Sequence, residues 1–318
     1  MSQLSVKVVN KTQEAEDIVS LELASTDGKT LPSFSAGAHI DVNVPGGLTR
    51  QYSLLNDSGE QHRYVIGVLR DPESRGGSTA IHDKVNVGDV LQISEPKNHF
   101  PLVKSQRSVL FAGGIGVTPI LCMARRLGAI NADFEMHYCA RSPERMAFKS
   151  DIESSAFADR VQFHFDNGDD AQKLKLEEII AQPQAGTHIY VCGPTGFIDY
   201  VVNTAKAKGW ATDQVHLEYF GAAEVDTSGD ESFEVKIAST GQTFTVPADK
   251  SITQVLDEND VFVPVSCEEG VCGTCLVRVL EGEPEHRDLY LTDAEHAAND
   301  QMTPCCSRSK SSVLVLDL

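Results

Sequence analysis

The stretch CEEGVCGTC, residues 267–275, decides how the C-terminal part of this 318-residue chain folds. It places Cys267, Cys272 and Cys275 in a C-x4-C-x2-C pattern, the spacing of plant-type [2Fe-2S] ligands. The glycines between the cysteines would let backbone amides approach the sulfides of a cluster. A four-cysteine zinc site is the alternative, but zinc sites favour two short C-x2-C pairs, and this stretch has one. The spacing therefore favours a [2Fe-2S] cluster over zinc.

Two cysteines further along the chain, Cys305 and Cys306, compete to be the fourth ligand. Residues 276–304 number 304 − 276 + 1 = 29, and plant-type ferredoxins have this interval when the first of the two is the ligand. We therefore predict that Cys305 binds the cluster and that Cys306 is a buried neighbour. The chain is large and shows no export signal, which argues against a disulfide framework.

Composition and charge limit the classes of function. With 41% hydrophobic and 23% charged residues the chain resembles folded globular proteins, and its length favours two to three domains. The net charge of −19 argues against nucleic acid as a partner, because phosphate backbones repel acidic surfaces. Residues 225–318 are the most acidic part, with 6 Lys and Arg against 18 Asp and Glu, or 6 − 18 = −12. Such a surface either keeps the protein in solution or docks on a basic partner.

The sequence contains no run of about 18 apolar residues, so no membrane-spanning helix is expected. The first residues alternate apolar and polar side chains and lack the apolar core of a signal peptide. These features predict a soluble, cytoplasmic protein with no membrane partner.

Hydrophobic patterning divides the chain into three parts. Residues 1–104 alternate strand-like runs with Gly and Pro turns, which predicts a small antiparallel β-barrel. Residues 105–224 alternate strands and helices, which predicts a parallel α/β sheet covered on both faces. Residues 225–231 have the composition of a linker, and residues 232–318 read as a compact mixed α/β unit. The expected fold class is a multidomain protein of β and α/β parts.

Two short motifs in the predicted barrel suit a phosphate and a flat ring. Arg50-Gln51-Tyr52-Ser53 closes a strand, and Arg75-Gly76-Gly77-Ser78 opens a helix. Arginine and a helix N-terminus both bind anions, and glycines let amides reach phosphate oxygens. Tyr52 would stack on a ring whose edge Ser53 would hydrogen-bond. Each piece alone is weak, since a tyrosine on a strand is usually core, but their joint occurrence favours a binding site.

Two further motifs follow strands of the predicted parallel sheet. Gly113-Gly114-Ile115-Gly116-Val117-Thr118-Pro119 leads into a helix predicted from about Thr118 to Leu127, and Cys192-Gly193-Pro194 ends a later strand. The glycine turn is not G-x-G-x-x-G and alone is a weak dinucleotide signal. It would still place a helix N-terminus beneath a pyrophosphate. Cys192 taken alone is a buried thiol at a strand end.

In this order the motifs resemble those of the phthalate dioxygenase reductase and vanillate O-demethylase reductase family, over essentially the whole chain. These are flavin reductases of the ferredoxin-NADP reductase superfamily with a C-terminal plant-type ferredoxin, and they supply electrons to Rieske non-haem iron oxygenases. The resemblance implies a flavin barrel, an NAD(H)-binding α/β domain and a β-grasp ferredoxin domain.

The resemblance also implies roles for single residues at the flavin. Arg50 and the segment Arg75-Gly76-Gly77-Ser78 would hold the flavin phosphate, Tyr52 and Ser53 would contact the isoalloxazine, and Phe220 would cover its nicotinamide side, with Tyr219 as the adjacent alternative. Members with this G-G-S form typically use FMN, and no separate adenine-binding signature is present, so FMN is preferred to FAD.

At the nucleotide, the resemblance assigns a set of residues from both α/β motifs. Thr118 would lie by the nicotinamide and Cys192 near its reactive carbon, so that Ser53, Thr118 and Cys192 surround the site of hydride transfer. Asp166, after the third strand, would oppose a 2′-phosphate, although Arg141 and Arg145 lie nearby; NADH is therefore expected rather than NADPH. The remaining cofactor-binding positions implied are Gly113, Gly114, Gly116, Pro119, Gly193 and Pro194.

The expected function is electron transfer from NADH through FMN and the cluster to a Rieske-type oxygenase. A flavin accepts a hydride and releases electrons singly, whereas the cluster takes one electron at a time. A free-standing NADH-dependent reductase of small acceptors such as quinones is the second hypothesis. A zinc- or cluster-bearing sensor protein without flavin is the third.

Overall fold

The computed structural model describes residues 3–72, 74, 76–221, 227 and 229–318. The chain forms two compact units, Met1–Glu218 and Tyr219–Leu318. The first contains the barrel and the parallel sheet, and the second contains the cysteine stretch. Within the described residues, no helix has both the length and the apolar surface that crossing a bilayer requires.

The first unit begins with a six-stranded antiparallel sheet and one helix. Its elements are β1 (Gln3–Ala15), β2 (Ile18–Ser25), β3 (His39–Val44), β4 (Leu48–Ser53), β5 (Tyr64–Leu69), α1 (Gly77–Lys84) and β6 (Val90–Ser94). The strand order is β4-β3-β6-β1-β2-β5, and a bridge from Leu54 to Ile66 joins the two edges into a barrel. Strand side chains alternate between faces, so Ile40, Val42 and Val44 of β3 are buried inside it.

A five-stranded parallel sheet with helices follows in the same unit. Its elements are β7 (Arg107–Gly113), α2 (Val117–Ala129), β8 (Asp133–Ala140), α3 (Lys149–Glu153), β9 (Val161–Phe165), α4 (Leu176–Ile179), β10 (Thr187–Cys192), α5 (Thr195–Ala207) and β11 (Val215–Glu218). The order β11-β10-β7-β8-β9 shows that the chain reverses direction between β9 and β10. β7 and β10 therefore flank a topological switch point, where open α/β sheets bind ligands at the carboxyl ends of their strands.

One hydrophobic core joins the barrel to the parallel sheet. Ile18 and Phe100 from the barrel part pack in the same buried cluster as Leu110 of β7. Arg125 of α2 also donates from Nη1 to the carbonyl oxygen of Leu55 at 2.7 Å. Because burial of apolar surface is the main stabilising term of folding, this shared core makes the barrel and the sheet one unit.

The second unit is a mixed sheet with a helix packed on it. Its elements are β12 (Phe233–Ile237), β13 (Thr243–Val246), α6 (Ile252–Asp257), β14 (Val277–Glu281), β15 (Pro284–Glu285), α7 (Asp293–Ala298), β16 (Gln301–Met302), β17 (Arg308–Ser309) and β18 (Val313–Leu316). The main sheet has the order β13-β12-β18-β14-β16, with β12 and β18 parallel. Ile252 and Leu256 of α6 are buried in the core with Cys275 and Cys305. This is the expected β-grasp arrangement.

The three expected architectures, an antiparallel barrel, a parallel α/β sheet and a ferredoxin unit, are confirmed. Of the predicted linker 225–231, residues 225, 226 and 228 lie outside the described residues. Asp230, further along, accepts two hydrogen bonds from Arg287 at 2.6 and 3.0 Å. The end of the predicted linker is thus held by the second unit.

Candidate functional site

Four cysteine side chains of the second unit converge on one small volume. Cys267, Cys272, Cys275 and Cys305 are free thiols and at most 9% exposed. Contacts with Cys272 and Cys305 lower the pKa of Cys267, and contact with Cys305 lowers the pKa of Cys275, while the same contacts raise the pKa of Cys272 and of Cys305. Four cysteine side chains in mutual contact form a single donor set. Buried thiolates are the ligands of soft metal centres, so the donor set fits an iron–sulfur cluster.

Backbone amides are directed at these sulfurs. The amides of Glu269 and Thr274 donate to Sγ of Cys267 and Cys272, each at 3.4 Å. Amide donors stabilise the negative charge on ligand sulfurs and tune the potential of a cluster. The loop achieves this with left-handed backbone at Gly270, where φ is 71°.

Cys306 is half-buried and not buried as predicted, and it makes different contacts from its neighbour. Its sulfur touches Cys305, but its remaining polar contacts are with Thr303 at 3.3 Å and Ser307 at 3.8 Å. Cys305, in contrast, contacts both Cys267 and Cys275. This geometry supports Cys305 as the fourth ligand.

The predicted phosphate site brings an arginine against a helix N-terminus. A Cβ atom on Gly77 would lie 2.6 Å from Cγ and 2.9 Å from Nε of Arg50, so the two residues are in contact. Gly76 precedes the helix with φ 98°, and Ser78 lies in its first turn. The first amides of a helix have no partner within the helix and bind anions. Arg50 and the start of α1 therefore fit a phosphate, whereas Arg75 lies outside the described residues.

Two neighbouring residues of β4 meet different surroundings. Tyr52 is half-buried against the barrel core, and burial raises the pKa of its hydroxyl. Ser53 is 6% exposed and its hydroxyl hydrogen-bonds the carboxyl group of Glu218 at the end of β11. Ser53 thus links the barrel to the carboxyl edge of the parallel sheet.

Glu218 is a candidate site residue that the sequence did not reveal. Burial raises the pKa of its carboxyl group to about 8, against the opposing effect of the Ser53 hydrogen bond. At neutral pH the group is therefore mostly protonated. Its Oε2 is buried and has no hydrogen-bond partner among the described residues. A neutral carboxyl group that is hydrogen-bonded to a serine hydroxyl can hold or move a proton. In the sequence, Glu218 is only a glutamate at the end of a short apolar strand, a pattern that does not mark a functional residue.

Glycines let two loops touch at the switch point. A Cβ atom on Gly116 would lie 2.4 Å from both the carbonyl carbon and oxygen of Cys192, and one on Gly193 would lie 3.0 Å from Cα of Gly113. Cys192 is fully buried, and burial raises the pKa of its thiol well above the usual range. It pairs with Glu218 in the parallel ladder, so both side chains emerge at the same edge. The predicted nucleotide turn and the Cys192 motif are thus brought together.

Thr118 lies where the helix α2 meets the barrel. It is 2% exposed, and its hydroxyl donates to the carbonyl oxygen of Ile115 at 3.1 Å. Its methyl group lies 2.8 Å from the position of a Cβ atom on Gly67 in β5. Pro119, the next residue, is also buried in α2. Thr118 therefore packs between the barrel and the parallel sheet. Its hydroxyl is already hydrogen-bonded to the backbone.

The charged residues predicted at the far end of the nucleotide differ in their availability. Asp166 follows β9 and is exposed, and Arg141 follows β8 and is also exposed. Arg145 forms ion pairs with Glu16 at 2.8 Å and Asp17 at 3.8 Å. Its charge is thus paired with two carboxylates of the first unit.

The aromatic residue that is predicted to cover the nicotinamide side of the flavin belongs to the second unit. Phe220 is 40% exposed and lies two residues beyond the end of β11. A large exposed aromatic side chain is consistent with a stacking role. Its assignment to the flavin stays a prediction.

Two family models match the chain. Residues 235–310 match the 2Fe-2S iron-sulfur cluster binding domain. Residues 97–215 match the model described as dimethylamine monooxygenase subunit DmmA-like, N-terminal domain. The first match covers all four converging cysteines.

Three known proteins are similar over nearly their full length. Vanillate O-demethylase oxidoreductase from Pseudomonas sp. (strain HR199 / DSM 7063) is 59% identical, over 96% of each chain. Tetrachlorobenzoquinone reductase from Sphingobium chlorophenolicum is 42% identical, over 100% of this chain and 99% of the relative. The solved structure of phthalate dioxygenase reductase, described as a modular structure for electron transfer from pyridine nucleotides to [2Fe-2S], is 40% identical with a TM-score of 0.81, covering 100% and 98%.

Proposed function

The chain belongs to the vanillate O-demethylase oxidoreductase and phthalate dioxygenase reductase family, and from that premise we propose that it carries electrons from NADH, through FMN and a [2Fe-2S] cluster, to a Rieske-type oxygenase. It is an oxidoreductase and the reductase component of an oxygenase system. The observation that carries this function is the convergence of four buried thiols, with amide donors, in a chain that also has an α/β switch point.

Different residues of the first unit bind the flavin and the nicotinamide nucleotide. Arg50 and the amides of α1 hold the FMN phosphate, and Tyr52 contacts the ring. The turn at Gly116 and the end of β10 at Cys192 receive the nicotinamide nucleotide. The flavin, when bound, converts the two electrons of a hydride into single electrons. The chain supplies orientation and excludes water, since its candidate residues at the switch point are largely buried.

Ser53 and Glu218 would hold a proton beside a bound flavin. The carboxyl group of Glu218 is mostly protonated at neutral pH and bonds the Ser53 hydroxyl. That hydroxyl is thereby fixed in place to hydrogen-bond the edge of the flavin. The pair lies in a buried place, where hydrogen bonds are stronger than in water.

Potentials and charge support a Rieske centre as the electron acceptor. Plant-type clusters have potentials near roughly −400 mV and Rieske centres lie between about −150 and +300 mV, so this transfer runs downhill. We call residues 267–275, which carry three of the four ligands, the cluster loop. The acidic residues of the second unit, including Glu268 and Glu269 in the cluster loop, offer a surface for a basic partner.

The substitution Cys272→Ser tests the electron path. Loss of one ligand should abolish electron delivery to cytochrome c, a one-electron acceptor, while NADH still bleaches the flavin absorbance in a stopped-flow experiment. A well-folded C272S protein whose flavin NADH no longer reduces would show that the proposed order of carriers is wrong. Loss of folding is checked by the flavin content of the purified variant.

A second candidate is a reductase of small quinones, favoured by the similarity to tetrachlorobenzoquinone reductase. The two functions differ in their acceptor. With a purified Rieske oxygenase encoded beside the gene, the reductase function predicts substrate turnover coupled to NADH. The quinone function predicts NADH oxidation with quinones at comparable efficiency and no productive coupling to the oxygenase.

A further inference from the structure

A second group of metal-ligating side chains lies in the second unit, separate from the four cysteines. His286, Asp288 and His296 each offer one ligand atom, and these atoms lie within 4.8 Å of one another. Oδ2 of Asp288 is 3.2 Å from Nε2 of His296, and its Oδ1 is 3.7 Å from Nδ1 of His286. Ligand atoms around a tetrahedral zinc ion lie about 3.3 Å apart, because its bonds to N and O are roughly 2.0–2.1 Å long. The carboxylate is therefore already near the distance from both rings that coordination needs.

The tautomer of His286 leaves a lone pair facing this carboxylate. Its Nε2 is 3.2 Å from Oδ1 of Asn299, an oxygen that only accepts, so Nε2 carries the proton. A neutral ring then has its lone pair on Nδ1. The side chain is 8% exposed, and Nδ1 has no hydrogen-bond partner in the described part of the chain. Two electron-rich atoms facing each other repel, unless a cation or a proton lies between them.

The carboxyl group of Asp288 is buried, and a cation at this place would add to its contacts with His296 at 3.2 Å and Ser307 at 3.5 Å. Its side chain is 0% exposed and accepts from the amide of Leu291 at 2.8 Å. The adjacent Arg287 is directed elsewhere, to Asp230 at 2.6 Å and Glu285 at 2.7 Å. Burial of an ion costs several kcal/mol unless charge or hydrogen bonds compensate it.

We propose that His286, Asp288 and His296 bind one divalent transition-metal ion, with Zn²⁺ as the metal that their donor set suits. The two imidazole rings stack with their centroids 4.4 Å apart, so binding turns their ring nitrogens toward a common point. Two imidazoles and one carboxylate are zinc ligands of ordinary type. The side chain of His296 is 27% exposed, so the site opens to water on that side and the ion can enter and complete its coordination there. Asn299 fixes the ring of His286 from behind, as outer partners of ligating histidines commonly do.

The site is coupled to the cluster loop through the backbone. The amide of Leu289 donates to the carbonyl oxygen of Gly270 at 3.1 Å, and a Cβ atom on Gly270 would lie 2.9 Å from Cα of Asp288. An ion that holds Asp288 therefore braces the loop between the first two cluster ligands. Zinc binding should raise the unfolding temperature and slow the loss of the cluster.

Zinc titration of the cluster-loaded, full-length protein tests the site. The protein is first treated with a chelator mild enough to leave the visible absorbance of the cluster unchanged, and is then titrated with zinc chloride by isothermal calorimetry. We expect one ion per chain in the wild type. His296→Gln should bind at least tenfold more weakly, and Asn299→Ala about tenfold more weakly.

His62→Gln is the matched control, because it removes a histidine that is 71% exposed beside Glu60 on the barrel. Wild-type affinity in H62Q together with the loss in H296Q would establish the site. Failure of the wild type to take up one zinc ion, or equal uptake by H296Q, would overturn it. The cluster absorbance, followed throughout, shows whether zinc has replaced iron.

Discussion

The cluster loop and the switch-point site bring their functional residues together in opposite ways. In the loop, three ligands lie within nine residues, from Cys267 to Cys275, and no helix or strand lies between them. At the switch point, Ser53 comes from β4, Cys192 from β10 and Glu218 from β11. The first centre is encoded by local spacing and the second by topology. The loop therefore depends on a few irreplaceable atoms, whereas the switch point depends on close packing between distant segments.

Cys305→Ser and Cys306→Ser give the sharpest contrast within the loop. Cys305 contacts both Cys267 and Cys275, whereas Cys306 contacts Thr303 and Ser307. We expect C305S to lose the cluster absorbance and essentially all cytochrome c reduction, and C306S to keep both within about twofold. Iron and sulfide content per chain measures the outcome. A C306S protein without a cluster, beside a C305S protein that retains one, would reverse the ligand assignment.

The same contrast explains what the sequence could predict. The four ligands were predictable because C-x4-C-x2-C is a spacing that few other sites share. Gly116 and Cys192 were recognised as separate motifs, but their close approach, which leaves no room for a Cβ atom on Gly116, depends on the reversal of the strand order after β9. Glu218 was missed, because burial creates its raised pKa and burial is a property of the assembled sheet. His286 and Asp288 were missed for a different reason: their third partner, His296, lies on α7, a six-residue helix whose apolar pattern is too short to detect.

Glu218→Gln tests whether the switch point carries a buried, protonated carboxyl group. The pKa of Glu218 is raised from 4.5 to about 8, so the folded state keeps a proton that the unfolded state has lost. This contribution to stability is complete below pH 4.5 and is lost as the pH rises to 8. Between pH 6 and pH 9 the wild type should lose about 3 kcal/mol through this group, at roughly 1.4 kcal/mol per pH unit.

Chemical denaturation of both proteins at the two pH values measures the difference. The glutamine has no proton to lose, so the E218Q variant should lack this part of the pH dependence while keeping a hydrogen bond to Ser53. Parallel stability profiles for the two proteins would mean that Glu218 ionises normally, and the proton-holding role would be rejected.

Gly116→Ala tests the packing of the two loops. Its added methyl group would lie 2.4 Å from the carbonyl of Cys192, and overpacking against backbone costs about 2 kcal/mol. Because the shift falls at the nucleotide turn, the rate of flavin reduction by NADH should also fall about tenfold. Gly196→Ala is the control: it lies in α5 with no atom within 4 Å of the new methyl group.

G196A should be neutral or stabilising by roughly 0.5–1 kcal/mol, because alanine favours a helix interior over glycine. Thermal unfolding and stopped-flow reduction by NADH measure both variants. Equal stability and equal reduction rates in G116A and G196A would show that the loops do not need to touch.

Arg50→Ala tests the phosphate site, where the expected effect is the smallest. Arg50 contacts Gly77 at the start of α1, so a phosphate there would be held by both the guanidinium and the helix amides. With the amides still in place, loss of the arginine should weaken FMN binding about tenfold, which corresponds to about 1.4 kcal/mol. Arg126→Ala, which removes an exposed arginine of α2, should leave the affinity for FMN unchanged.

Flavin affinity is measured by fluorescence on apoprotein reconstituted with FMN. Because riboflavin lacks the phosphate, its affinity should be the same in R50A and the wild type; an equal loss for riboflavin and FMN would mean that Arg50 acts on the barrel and not on the phosphate.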